Sequence, residues 1–289
     1  MARNINIDDL VRGSIDLHVH FAPDALMAFR MDALDTAKLA YQMGIRAIVL
    51  KAHSYPTAPL ATMVGKLVPE IKVFGSICLD YEVGGLNFHA LSAAAKLGTR
   101  VVWMPTHSSN NMMMKTMGVN LENEGFSILN SENKLMPEMN KILSLIKEYK
   151  MVLASGHISP IETFALVEEA LAKGISKLVI THPLTVEILK QSLTLEDLQR
   201  LGKMGAFIEH TYVGYLPNEL RHDPQKLVEA IRTVGAEHSI ISTDLGEYDN
   251  PPASEGMRMF IALLLRNGIT EQEIELMAKL NPAKLLDLD

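Results

Sequence analysis

Asp16, His18 and His20 stand at alternate positions near the start of the chain, and His53, His107, His157, His182 and His210, with Lys51 and Asp244, each close or follow a later apolar run. Residues i and i+2 of a strand share a face, so His18 and His20 can present their imidazole nitrogens to one ion. Asp16 shares that side on the same alternation, either in the site or one layer below it as an acceptor orienting a ligand. Imidazole plus carboxylate with no thiolate nearby is a donor set for a divalent metal, zinc first, with manganese, iron or nickel also compatible and one or two ions to be held.

Such residues need a scaffold that brings distant positions to one place. Eight apolar, β-branched runs alternate with amphipathic segments: residues 14–20, 46–51, 72–79, 99–104, 151–155, 177–181, 206–209 and 239–242. That alternation is the pattern of parallel strands joined by crossover helices. Four strands are entered through a glycine that can end the preceding helix, in MGIRAIVL, LGTRVVWM, KGISKLVI and MGAFIE. Residues 32–43 and 161–173 carry broad apolar stripes, and Pro59, Pro137, Pro160 and Pro224 fall near helix starts, where a missing N–H is harmless. Eight βα units in an uninterrupted chain predict a (β/α)8 barrel forming a single domain over residues 1–289, with a C-terminal helical tail.

In such a barrel the carboxyl ends of the strands build the active site, and those ends make up roughly a tenth of the chain. Seven of the ten histidines fall there, with His89, His222 and His238 elsewhere. Lys51 ends the second strand, where it could be an ammonium aimed at an anionic substrate, a carboxylated metal bridge or a surface side chain. Some 30 residues, 106–136, follow the fourth strand, far more than an ordinary βα loop, and make a candidate lid carrying Met112, Met113, Met114 and Met117. Tyr55, Tyr212, Tyr215, Arg221, Glu82 and Asn87 lie on other loops of the same face, as substrate contacts or as solvated positions.

The chain has 289 residues, 48% hydrophobic and 21% charged, which excludes disordered and fibrous classes. A net charge of −7 argues against a nucleic-acid partner, and a small-molecule substrate is expected instead. No apolar run approaches a membrane span, and the amino-terminal residues lack a signal-type apolar region, so an unexported cytoplasmic protein is expected, with homo-oligomerisation left open. The single cysteine, Cys78, fits a reducing compartment. Low aromatic content, with one tryptophan, Trp103, disfavours a pocket stacked on a planar ring.

The opening Asp16-Leu17-His18-Val19-His20, Gly156-His157, Thr181-His182-Pro183, Ser242-Thr243-Asp244 and the closing Asn281-Pro282-Ala283-Lys284-Leu285-Leu286 together resemble the amidohydrolase superfamily of metal-dependent hydrolases. The resemblance implies that His18, His20, His157 and Asp244 are metal ligands and that His182 is a second-metal ligand or a substrate hydrogen-bonding group. It also implies that Asp244 takes the proton of a metal-activated water, whose pKa falls from about 15.7 toward 7, while His182 or Lys51 stabilises the oxyanion. The chain departs from the binuclear pattern at the fourth strand, where Pro105-Thr106-His107 stands in place of a bridging lysine or glutamate. The expected reaction is hydrolysis of a small-molecule amide, ester or lactone. The same arrangement resembles metal-dependent decarboxylases of the superfamily, and residues 44–53 resemble the polymerase-and-histidinol-phosphatase phosphoesterases.

Overall fold

A computed structural model describes residues 6–112, 125–185, 189–217 and 221–288. Eight parallel strands follow in chain order: β1 (Ile15–Val19), β2 (Ala47–Leu50), β3 (Lys72–Cys78), β4 (Thr99–Trp103), β5 (Val152–Ala154), β6 (Leu178–Ile180), β7 (Phe207–Thr211) and β8 (Ser239–Ser242). The seam between the last strand and the first is bridged at Val19 and Leu245, and the Asp244 N–H donates to the His18 carbonyl at 2.9 Å. The result is the (β/α)8 barrel read from the sequence.

Eleven α-helices accompany the strands among the described residues: α1 (Ile7–Val11), α2 (Ala33–Gln42), α3 (Ala58–Leu67), α4 (Phe88–Lys96), α5 (Pro137–Glu148), α6 (Pro160–Ala172), α7 (Leu195–Lys203), α8 (Pro224–Val234), α9 (Ala253–Arg266), α10 (Glu271–Glu275) and α11 (Asn281–Leu286). Their starts are chemically marked. Asp32 caps α2 by accepting from the Asp35 N–H, and α6, α7 and α10 open with capping boxes, Ser159–Glu162, Thr194–Asp197 and Thr270–Glu273. Prolines 59, 137, 160 and 224 sit in first turns, as expected.

Two apolar belts fill the space between strands and helices, and a third cluster fills the barrel. The inner cluster takes alternate strand residues, such as Ala47 and Val49 of β2 or Val101 and Trp103 of β4, together with Leu285 and Leu286 of α11. Asp287, just after α11, pairs with Lys177 before β6, so α11 covers the amino ends of the strands and leaves their carboxyl ends as the open mouth. The strand limits differ from the sequence reading by a residue or two. The largest difference is β7, which runs on to Thr211, so that Glu209 and His210 are both interior to the strand.

Candidate metal centre

On β2, the inward residues Ala47 and Val49 continue to Lys51, and on β4 Trp103 is the last inward residue. In β1 the order is different. Ile15 and Leu17 pack inside the barrel while Val19 packs in the outer belt, and the register with β2 is irregular between Asp16 and Val19. A bulge of this kind re-aims a side chain, and it brings His18 and His20 into the mouth. Asp16 does not follow them. Its carboxylate accepts from the backbone N–H groups of His18 and Thr243, both at 3.1 Å, and so braces the ends of β1 and β8; burial pushes its pKa up to about 7 against those hydrogen bonds.

Asp244 reaches the mouth through a left-handed backbone, φ +54°, a conformation aspartate tolerates better than most residues. Its Oδ1 lies 2.8 Å from His18 Nε2 and 3.1 Å from His20 Nε2, and its Oδ2 lies 3.6 Å from His182 Nε2. His157 Nε2 is in turn 3.1 Å from His182 Nε2. His157 is carried there because Gly156 crosses the end of β4 closely: a Cβ at Gly156 would stand 2.3 Å from the Met104 carbonyl oxygen. The sequence-predicted set His18, His20, His157, His182 and Asp244 is therefore brought together from β1, β5, β6 and β8.

Six imidazoles close a circuit around the mouth. Ring centroids lie 5.3 Å apart from His18 to His20, 5.2 Å to His53, 3.8 Å to His107, 6.4 Å to His157, 4.8 Å to His182 and 5.7 Å back to His18. His210 is the strand-end histidine left out. β7 alternation aims Glu209 inward at His18 and turns His210 the other way, where its Nε2 lies 3.4 Å from Ser239 Oγ.

Lys51 is 1% exposed, which removes the surface alternative; its Nζ lies 2.8 Å from His18 Nε2 and 5.2 Å from the Trp103 ring centroid. Trp103 is buried beneath Lys51 and His18. Tyr212 and Tyr215, expected on solvated or substrate-contacting loops, pack against Phe260 of α9, and Asn87 caps α4 by accepting from the His89 and Ala90 N–H groups. Of the lid methionines, Met112 is buried with its Sδ 3.2 Å from His157 Nδ1, whereas Met113, Met114 and Met117 lie outside the described residues.

The electrostatics divide the histidines. Burial opposes charge on His18, yet Asp244 and Glu209 beside it raise its pKa to about 9. Burial would raise Asp244, but His18 and the hydrogen bonds from His18 and His20 hold it well below the carboxylate range. Burial lowers His182 to about 4 and His107 to about 3, and takes His53 and His157 well below the usual value, helped by the neighbouring imidazoles and Lys51. Those rings are neutral, the form that coordinates metal.

The donors present fit a divalent cation. His18, His20 and Asp244 each turn one ligand atom into a space within 4.8 Å of the others, and the buried His20 Nδ1 and His182 Nδ1 are without hydrogen-bond partners. Two imidazoles and a carboxylate, with His182 and His157 adjoining, are the nitrogen and oxygen ligands that such ions take.

A second grouping, His53, Cys78 and Asp80, is already filled by hydrogen bonds. Asp80 Oδ1 accepts from the Thr106 and Ser108 N–H groups, Asp80 Oδ2 accepts from the Thr106 hydroxyl, and His53 Nδ1 lies 2.7 Å from Thr106 Oγ1. His53 Nδ1 also lies 3.3 Å from Asp80 Oδ2, so these donor atoms are taken up by one another and by Thr106, and the network braces His53.

Sequence reasoning missed Glu209, Asp80, Thr106 and Phe29. Asp80 follows the carboxyl end of β3, and Glu209 closes the seventh apolar run as read from the sequence, so the strand-end rule that selected the histidines would have selected both. Phe29, stacked on His20 at 5.2 Å, gives no local signal, because it arrives from the loop before α2.

The fold and the mouth together define a (β/α)8 barrel with a histidine-rich centre competent to hold a divalent metal. The chain belongs to the family of unknown function DUF6282, whose model matches residues 13–209. No curated protein matches it in sequence. Among solved structures it is similar to the probable dipeptidase PvdM from Pseudomonas aeruginosa, at 12% identity and a TM-score of 0.65, covering 97% of this chain and 96% of that one. It is similar to a putative 2-pyrone-4,6-dicarboxylic acid hydrolase from Pseudomonas putida, at 17% identity and a TM-score of 0.61, covering 95% and 97%. A 2,6-dihydroxybenzoate decarboxylase from Rhizobium is also similar, at 13% identity and a TM-score of 0.57, covering 96% and 99%. At these identities the likeness is one of fold. No helix among the described residues is long and apolar enough to cross a membrane.

Proposed function

We propose that this protein is a metal-dependent hydrolase of the amidohydrolase type, acting on a small-molecule amide, ester or lactone, with zinc as its first metal. The observation that carries the reading is the convergence of His18 Nε2, His20 Nε2 and Asp244 Oδ1 at the barrel mouth. A bound divalent ion supplies Lewis acidity, lowering the pKa of water and polarising a carbonyl oxygen. Asp244, ionised and hydrogen-bonded to two imidazoles, is the group that accepts the attacking water's proton and returns it to the leaving group. Neutral His182, 3.6 Å from the other oxygen of Asp244, donates to the substrate oxygen on which charge develops. Lys51 adds a positive charge at the inner wall. That a probable dipeptidase and a dicarboxylic acid hydrolase share the barrel supports this reading.

The test is metal analysis of the purified protein followed by a panel of dipeptides, esters and lactones with and without added zinc. Metal-dependent hydrolysis is the expected result. A protein that binds no divalent metal overturns the reading, carbon dioxide release from hydroxybenzoates alone replaces it with a decarboxylase, and turnover of phosphomonoesters alone replaces it with a phosphoesterase.

A further inference from the structure

Glu209 is a carboxylate in the centre of the barrel, 1% exposed, contributed by β7. Among the described residues no lysine or arginine lies within ion-pair distance of it. Its two oxygens lie 3.2 and 3.3 Å from one atom, Nδ1 of His18, which they reach across the barrel interior past β8. An ionised carboxylate buried this deeply suffers a severe desolvation penalty, and the His18 ring is the partner that answers it. The burden is understandable if the imidazole carries more than itself.

An imidazole can coordinate only through a nitrogen that has lost its proton, and its two nitrogens are coupled: a proton placed on Nδ1 leaves the lone pair on Nε2. Glu209 can only accept, so it holds the Nδ1 proton of His18. The opposite nitrogen, Nε2, is the one 2.8 Å from Asp244 Oδ1 and 2.8 Å from Lys51 Nζ, in the group that His18 forms with His20 and Asp244. A carboxylate behind a ligating histidine fixes ring orientation and tautomer and makes the ligand more basic.

We propose that Glu209 is the positioning residue of the metal centre, acting through His18 by holding its Nδ1–H so that Nε2 is presented as ligand. This inference rests on the metal reading above. The mouth has a parallel arrangement on its other side, where Asp80 and Thr106 secure Nδ1 of His53. His53 shares its carboxylate contact with the Thr106 hydroxyl, whereas both oxygens of Glu209 turn to His18.

The experiment compares zinc affinity of the full-length wild type, Glu209→Gln, Glu209→Asp and His210→Gln by competition with a chromophoric chelator, alongside denaturant unfolding of each metal-free protein. Glu209→Gln keeps the shape and removes the charge; Glu209→Asp keeps the charge and withdraws the oxygens by one methylene. Both are expected to bind zinc about 10–100-fold more weakly than wild type, the range seen when such partners are removed. His210→Gln, on the same strand but facing away, is expected to keep wild-type affinity. Should one Glu209 variant fail to fold, the other is read.

A merely structural role would shift the unfolding midpoint of the metal-free protein and leave zinc affinity of the folded protein unchanged, and that result overturns the inference. Wild-type protein that binds no zinc overturns the metal reading itself and this inference with it, a pattern distinct from zinc-binding wild type with unaffected variants.

Discussion

The backbone N–H of Asp244 donates to the carbonyl of His18 at 2.9 Å, and the Asp244 carboxylate lies 2.8 Å from Nε2 of the same histidine. One hydrogen bond across the barrel seam therefore sets the distance between a ligand and a base that are far apart in the chain. Asparagine tolerates the left-handed backbone of this position as aspartate does. Asp244→Asn should accordingly fold, retain less metal after dialysis and lose turnover by about 10²–10⁴-fold, the usual worth of a positioned acid–base group. Metal content and kcat on the substrate found in the panel are the measurements; unchanged kcat would remove Asp244 from the chemistry.

Gly156 has φ +59° and passes so close to Met104 that a Cβ would collide with its carbonyl oxygen. Gly156→Ala should destabilise the fold by about 1–3 kcal/mol from backbone strain, with the close contact adding to it. Urea unfolding reads the stability. Because His157 follows directly, metal retention should fall as well.

Burial lowers the pKa of His210 from 6.5 to about 4, so the folded protein keeps this ring neutral where the unfolded chain protonates it. Between those two values the unfolded state binds the extra proton, and stability must fall as pH falls; above 6.5 the contribution is fully present. His210→Gln should flatten the stability–pH profile in that window by up to about 1.4 kcal/mol per pH unit. Urea midpoints across the window test this, and parallel profiles for the two proteins would contradict it.

Thr106 joins His53 to Asp80 through one hydroxyl. Thr106→Val preserves volume and removes the shared hydroxyl, leaving His53 Nδ1 and Asp80 Oδ2 only their 3.3 Å contact with each other, which should lower stability by about 1 kcal/mol. Thr106→Ser, which restores the hydroxyl, should recover most of that loss. Equal stability of the valine and threonine proteins would show that the hydroxyl bridge contributes nothing.

How far the site could be read in advance depended on the kind of residue. A histidine directly after an apolar run is conspicuous, and the barrel rule then states which end of the molecule it occupies; that is why His18, His20, His157 and His182 were nameable. His210 satisfied the same rule and does not face the mouth, because β7 continues to Thr211 and strand alternation gives the inward place to Glu209. Asp16 could be read either as a site residue or as an acceptor one layer below; the irregularity in β1 leaves it below, accepting from the His18 and Thr243 N–H groups. Phe29 could not be found at all, since its contact with His20 is made across a loop.

By itself the sequence determined the eight-fold alternation of strand and helix, and with it the barrel, because hydrophobic periodicity and glycine or proline punctuation are local properties that survive in one dimension. It also determined that the imidazoles gather at one end, since strand direction is shared by every unit of the barrel. Only the tertiary structure decided which side chains point inward at that end and what stands behind them. The pairing of His18 with Glu209, the burial of Lys51 over Trp103 and the bracing of His53 by Asp80 all join different strands. The first depends on a bulge in β1 and a strand extended by two residues, and the placing of His157 on a close backbone approach at Gly156, each a product of packing between units that no single segment encodes.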